Sequence, residues 1–549
     1  MSQSQQLYEQ AVAAFNARRF DDVITLTSQA ISLTGFHPVL GELLGKAEME
    51  RKNYARAIEY FRDVLVATPE SAAIKLSLLR AFYLNCDWEN VAQASAEVLK
   101  GPLDPLVSIT ISNWCGVALH HLGRADESQA QFKLSSQWID QHRLLEQKDK
   151  APSAFAAAVI CALGMKDLPA IHDLLALQFP QFFTQARAFK ISKATTLAEW
   201  RKAANPHTRV LSPAQNISID MRAEGSGRWN YTADEFSLVS VPGAEMISGW
   251  DYVIAPTGEV LEGSGYSHFG AAYAFMPHLH FADLGLIAHV WSESCVEVAA
   301  DALFLSTPES YHFGDWLVDF LPRLRAWQVP GEPKLKIAIP TTLPRKHREM
   351  LACFGVMPED LIECELGKRY RFKSLTVVQH GNFMRPKPES VRFIYNAMAA
   401  EREPAPKGSK ERHLFMLRDV GTRLIANQGE VDGLLAECGF EYVNLAKLSI
   451  VQQRELLPRA GIILGVFGTE LLCFYQARPG TDIVELTWDS NEDPVIGPSC
   501  AMLDIHHQFL VCAEAQTSTK VRMKKDREIV VDCAALRQRL EAIIKRRSA

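Results

Sequence analysis

Two arginines, Arg418 and Arg423, and a glycine turn at Gly468 are the residues whose types and spacing most directly suggest chemistry. The stretch GIILGVFGTELLCFYQARPGTDIVEL (461–486) is an apolar run broken at Phe467-Gly468, then a short amphipathic segment, a Pro-Gly turn and a second apolar run. It reads as strand, turn, helix, turn, strand, with the helix starting at Thr469 or Glu470. Gly468 permits a tight turn and a close approach of a ligand to the backbone. The helix start offers free amides and a positive dipole end to a diphosphate. Glu470, in the first helical turn, could equally stabilise that helix end with no ligand. Arg418 and Arg423, at the end of one strand and in the next loop, are placed to offset a leaving diphosphate's charge. Pairing with surface carboxylates is their competing role. Glu485, at a strand's carboxyl end, could accept hydrogen bonds from a ribose or serve structure alone. No two aspartates stand two apart, so the Asp-x-Asp pair of a metal-held diphosphate is missing.

The elements that must position these residues follow from the patterning around them. HLFMLR, FEYVNLA, GIILGV and TDIVELT read as strands, and GEVDGLLAECG, SIVQQRELLPRA and TELLCFYQA as the helices between them. Short apolar strands alternating with helices predict βαβ units and a parallel sheet, whose ligands sit beyond the strands' carboxyl ends. Upstream, from about residue 205, EFSLVSVPGAEMI, KLKIAIP, RKHREMLACFG and SLTVVQ predict another strand-and-helix region. The Pro/Lys/Gly-rich REPAPKGSK (402–410) divides a lobe at 205–401 from one at 402–549.

The front of the chain repeats. Phe20, Tyr54 and Trp88 are 34 residues apart, and Ala125 follows in register after a three-residue excess. Small residues recur at helical spacing (Ala57, Ala92, Ala96, Ala130), and Pro69 and Pro105 fall between units. Region 1–140 therefore resembles a tetratricopeptide superhelix of stacked helix pairs. Residues 141–204 are expected to continue as a helical cap or linker. Such an array serves as a spacer or dimerisation arm, or offers a groove for a peptide or protein acceptor.

Composition narrows the classes. A chain of 549 residues exceeds what one hydrophobic core supports. A formal net charge of −6 gives no electrostatic case for a nucleic-acid partner. The amino terminus does not read as a secretory signal, and no window is apolar enough to be a transmembrane segment. Eleven singly scattered cysteines suit reduced thiols in a cytoplasm. The expectation is a cytoplasmic and, from the missing signal and anchor, bacterial protein.

The segment from LRDVGTRLIANQGEVDGLLAECG to RPGTDIVEL resembles glycosyltransferase family 61, with Arg418, Arg423, Asn427, Gly439-Phe440, Ser449, Gln452, Gly465, Gly468, Pro479-Gly480 and Glu485 in the family's order. Upstream, SYHFGDWLVDFLPRLRAW (310–327) is similar to the family's Trp-Leu and Leu-Pro-Arg segment at Trp316, Leu317, Asp319, Leu321, Pro322 and Arg323. The likeness spans roughly 235–545. It implies an α/β, GT-B-like architecture of two Rossmann-type lobes with the donor between them. It also implies an inverting transferase that needs no metal or other cofactor and takes a nucleotide-sugar donor, a UDP-sugar being the first choice. Arg418, Arg423, Asn427, Phe467, Gly468, Thr469, Glu470 and Glu485 would bind that donor.

Two positions depart from the pattern: the family's turn histidine is Phe467 and its histidine before the tryptophan is Asp315. An inverting transferase needs a general base on the acceptor hydroxyl. Asp315 can fill that role if the cleft desolvates it, and His312 is the runner-up. Asp319 is expected to pair with Arg323. Phe467 could stack on a sugar or base, or fill a site that no longer turns over. The reading is a glycosyltransferase acting on a protein or glycan acceptor held by residues 1–140, with homo-oligomer formation left open. The alternatives are a catalytically inactive scaffold and a nucleotide-sugar epimerase or hydrolase.

Overall fold

The computed structural model describes residues 3–17, 19–146, 151–167, 169–171, 173–174, 188–220, 228–250, 252–263, 278–281, 284–305, 313–379, 385–399, 411–418, 423–488, 495–515 and 528–548. The chain forms two compact units: Met1–Lys193 with Pro277–Val290, and Ala194–Met276 with Trp291–Ala549.

The first unit opens with paired helices. Phe20, Tyr54, Trp88 and Ala125 each start the second helix of a pair: Phe20–Thr34, Tyr54–Ala67, Trp88–Val98 and Ala125–Gln141. Three residues on stand Val23, Ala57, Val91 and Ser128, and seven on stand Thr27, Phe61, Ser95 and Phe132, all buried. That is one helical face repeated four times. Gly45 and Gly116, on the preceding helices, admit the two phenylalanines: an added Cβ would meet the Phe61 ring at 2.5 Å and the Phe132 ring at 2.8 Å. The packing face is thus three and seven residues past each helix start. Ala96 and Ala130, expected on it, are exposed.

Helical continuity across 150–200 holds for Ala151–Met165 and Leu197–Ala204 but not for Ala188–Thr196, which is a strand. Its end pairs in parallel with Val260–Glu262 (Ala194↔Val260), a tertiary partner that local patterning does not reveal. Most of AIHDLLALQFPQFF (170–183), within the stretch expected to be helical, lies outside the described residues, as does the linker 402–410.

The second unit contains two parallel cores. In the first, β1 (Cys295–Phe304), β2 (Lys336–Pro340), β3 (Leu361–Cys364) and β4 (Arg369–Gln379) lie in the spatial order β3-β2-β1-β4, all parallel. Strands Phe236–Pro242 and Glu245–Ile247 extend it antiparallel to β4. In the second, β5 (Arg412–Met416), β6 (Phe440–Val443), β7 (Ala460–Val466), β8 (Asp482–Trp488) and β9 (His506–Glu514) lie in the order β6-β5-β7-β8-β9, again parallel. β10 (Ile529–Val530) closes it antiparallel to β9.

Both orders reverse direction once. In the first core the chain steps outward from β1 to β3 and returns beside β1 as β4. In the second it steps from β5 to β6 and returns beside β5 as β7. Loops leaving the two strands at such a reversal diverge to opposite faces, so a crevice opens between their carboxyl ends. The expected alternation of short strands and helices is present in both. One apolar cluster, including Leu303, Trp316, Phe320, Leu414, Ile463, Leu471 and Phe474, runs from the first core into the second.

Candidate active site at two strand tips

The reversal in the second core falls between β5 and β7, and the residues singled out from the sequence meet there. Arg418 lies two residues past β5, and Phe467-Gly468 follows β7 directly. Arg418 Nη1 donates to the Phe467 carbonyl at 3.2 Å and to Glu470 Oε2 at 2.7 Å. Arg423, at a left-handed φ of 59°, donates Nη1 to the same carbonyl at 2.9 Å. Two guanidinium groups therefore converge on one backbone oxygen.

Gly468 is required here for a different reason from the one its turn suggests. Its φ of 162° and ψ of 178° are extended, open to any residue. A Cβ, however, would lie 1.8 Å from Arg418 Nη1. The missing side chain is the space the guanidinium occupies. The Arg423 guanidinium sits over the Phe467 ring at 4.7 Å, while Trp488 meets that ring edge-on at 5.6 Å and 89°. Phe467 thus spends its stacking surface on its own chain. Thr469 is exposed and begins a tight helical segment, Thr469–Gln476, whose Leu471 N–H returns to the Gly468 carbonyl at 3.0 Å. Glu470 serves as the counter-ion of Arg418, with 11% and 18% of the Arg418 and Glu470 side chains exposed.

Two expected donor contacts fall elsewhere. Glu485 lies inside β8 rather than at its tip; it is 2% exposed, and Oε2 is 2.8 Å from His507 Nε2. Asn427 clips the chain to itself: its amide donates to the Val531 carbonyl and its oxygen accepts from the Val531 N–H, both at 2.9 Å. A buried carboxylate–imidazole contact and a reciprocal backbone clip are structural uses.

The first core presents its own tip. Past β1, residues Phe313–Asp315 begin a helical segment that widens into a π turn over Trp316–Phe320 and tightens over Leu321–Ala326. Leu321 N–H reaches back to the Trp316 carbonyl, and Pro322, with no N–H to give, ends the wide turn. Gly314 sits against the other core's turn: a Cβ would lie 2.5 Å from Thr469 Cγ2. The half-buried Asp315 is thereby carried to the same junction. His312 lies outside the described residues. Asp319 and Arg323 form the expected pair, Oδ2 to Nη2 at 2.7 Å and fully buried, with the guanidinium over the Phe320 ring at 4.5 Å.

The face between the cores is largely filled. Trp316, Phe320, Leu324, Phe474 and Tyr475 are buried in it, and a narrow pocket has walls that include Val318, Arg385, Lys387, Ser390, Tyr475 and Val495. Sequence reasoning did not single out Arg385 or Lys387. The signal was present in RPKPES (385–390), a basic Pro-rich loop beyond the strand SLTVVQ and before a helix. Among the described residues no three His, Cys, Asp or Glu side chains gather as a metal-binding group, and no helix is long and apolar enough to cross a membrane.

Residues 313–484 match the family model described as Glycosyltransferase 61. The match begins one residue after His312, takes in Asp315 and the Arg418–Glu470 cluster, and ends one residue before Glu485. A search of curated proteins found no match. Among solved structures, the chain is similar to one titled MamA MSR-1 C2, at 16% identity over 32% of this chain and 98% of that one, with a TM-score of 0.26. It is also similar to TTC0263, a thermophilic TPR protein in Thermus thermophilus, at 17% identity over 32% and 91%, with a TM-score of 0.23. These scores are too low to argue from. The repeat architecture rests instead on the period and on the buried positions described above. The chain thus joins a tetratricopeptide-like helical array to a region similar to glycosyltransferase 61.

Proposed function

We propose that the second unit is a GT-B-type glycosyltransferase that takes its sugar from a nucleotide-sugar, a UDP-sugar first, with inversion and without a metal. One observation carries this reading. The strand reversal between β5 and β7 gathers Arg418, Arg423 and Gly468 at a single strand tip, inside the segment that matches the family model. A diphosphate leaving group needs its negative charge offset, and two guanidinium groups beside a turn provide that. Glu470 is the carboxylate that a diphosphate would displace from Arg418.

Asp315, carried to the junction by the segment that packs Gly314 on Thr469, is the general base. It takes the proton of the acceptor hydroxyl as that oxygen bonds to the anomeric carbon. The nucleoside diphosphate departs with the electrons of the broken bond. His312 is the runner-up for the same role. The helical unit recruits the acceptor, a protein or a glycan precursor, through the face that stacked helix pairs leave to solvent.

A second reading, a scaffold without turnover, draws on two features: Arg418 already has its counter-ion in Glu470, and Phe467 stands where the family has histidine. Nucleotide release from UDP-, GDP- and CMP-sugars in the presence of protein and oligosaccharide acceptors separates the two. Release that falls about a hundredfold in Asp315→Asn supports the transferase and its base. A full rate in that variant moves the base elsewhere, and no release from any donor favours the scaffold.

A further inference from the structure

The pocket between the two cores lies at the other strand reversal, beyond the carboxyl ends of β1 and β4. It is narrow and opens to solvent. Val318, from the π turn after β1, forms one wall. Arg385, Lys387 and Ser390, at and before the start of the helix Pro388–Met398, form another, and Tyr475 and Val495 come from the second core.

Three cations gather around it, and none has a carboxylate within ion-pair distance among the described residues. Lys387 is 3% exposed, and its ammonium donates to the carbonyls of Ser212 at 3.3 Å and Pro213 at 2.5 Å. An ammonium has three N–H donors, and two have partners among the described residues. Arg325 donates to the hydroxyls of Ser390 at 3.2 Å and Ser212 at 3.4 Å and lies over the Phe236 ring at 4.4 Å. Those neutral acceptors and a ring face do not neutralise it. Arg385 is exposed and lines the mouth.

The carboxylates nearby make no direct pair with these cations among the described residues. Glu389 accepts from Gln215 Nε2 at 2.7 Å, and Glu235 faces Arg201 at 3.5 Å. Asp234 acts on Lys387 only at a distance. Burial pushes Arg325 and Lys387 below their ordinary pKa values, with Glu389 the first opposing influence on each. Among the described residues Lys387 and the half-buried Arg325 feel carboxylates only at a distance, Glu389 first, which makes their burial costly to the fold. Tyr231 Oη donates to the Pro386 carbonyl at 2.6 Å, between Arg385 and Lys387.

We propose that this pocket binds an anionic oxygen group of a substrate, a phosphate or carboxylate, with Arg385 at its mouth and Lys387 and Arg325 behind. The proposal rests on the transferase reading only for what the anion belongs to: the donor's diphosphate or a charged acceptor.

Calorimetry on the full chain tests it, with inorganic phosphate, pyrophosphate, UDP and glucuronate as separate millimolar probes against wild type, Arg385→Glu and Arg418→Ala. Arg385 is exposed, so its variant should keep the fold, checked by an unchanged melting temperature. At least one probe should bind wild type and weaken about tenfold or more in Arg385→Glu. Pyrophosphate or UDP as that probe assigns the pocket to the donor; phosphate or glucuronate assigns it to the acceptor. No binding by any probe, or binding unchanged in Arg385→Glu, overturns the proposal. Loss in Arg418→Ala alone does the same while leaving the transferase reading standing.

Discussion

The two strand tips of the second unit handle positive charge in opposite ways. At β5 and β7, Arg418 is matched by Glu470 from the adjoining turn, and Arg423 is spread over a carbonyl and a ring face. At β1 and β4, Arg325 and Lys387 are held by hydroxyls and carbonyls, and Arg385 faces the pocket mouth. The first tip is balanced only at Arg418, where an anion enters by exchange with Glu470. The second is unbalanced, and an anion adds to it directly. The lesson is that arginines at a strand tip do not by themselves mark an open anion site; the nearest carboxylate decides.

Breaking the frame beneath the unbalanced tip should have the largest effect. Asp319→Ala strands the fully buried Arg323, and chemical denaturation should register a loss of about 3–5 kcal/mol. A loss below about 1 kcal/mol would show that the π-turn segment does not depend on that pair.

Gly468→Ala comes next. Its Cβ collides with Arg418, so overpacking should cost about 1–3 kcal/mol by denaturant melts. A neutral outcome would mean that the guanidinium can leave the turn freely, undoing the contrast between the tips.

Glu470→Gln is a finer probe of exchange. Removing the counter-ion should strengthen pyrophosphate binding at the β5/β7 tip about tenfold, while Arg418→Ala in the same background should abolish the gain. Equal or weaker affinity would mean that Glu470 assists the ligand rather than competes with it. The smallest effect is expected from Arg385→Ala, whose side chain is exposed. Its stability should stay within about 0.5 kcal/mol of wild type, and a larger loss would make that arginine part of the frame.

Much of this architecture is legible in local patterning. The repeat starts at Phe20, Tyr54, Trp88 and Ala125 follow from their spacing, and the strands from HLFMLR to TDIVELT from their apolar runs. What stays hidden is non-local. Which strands are neighbours decides where the reversals fall, and no single window of sequence carries that. The fate of Glu485 depends on His507, 22 residues away, and that of Asn427 on Val531, 104 residues away. The pocket cations come from positions 325, 385 and 387, and only the fold brings them together. Gly468 stands out in the sequence as a place of close approach to the backbone, but what approaches is a guanidinium of the same chain. Ala96 and Ala130 mislead because alanine is common on solvent-facing helix surfaces, where propensity rather than packing selects it.

The central claim is that the β5/β7 tip receives the diphosphate of a nucleotide-sugar. Titrating a panel of UDP-, GDP- and CMP-sugars into wild type and Arg418→Ala by calorimetry addresses it most directly. The account predicts that at least one donor binds wild type and that Arg418→Ala loses that binding. Donor binding indifferent to Arg418→Ala, or no binding across the panel, would contradict it.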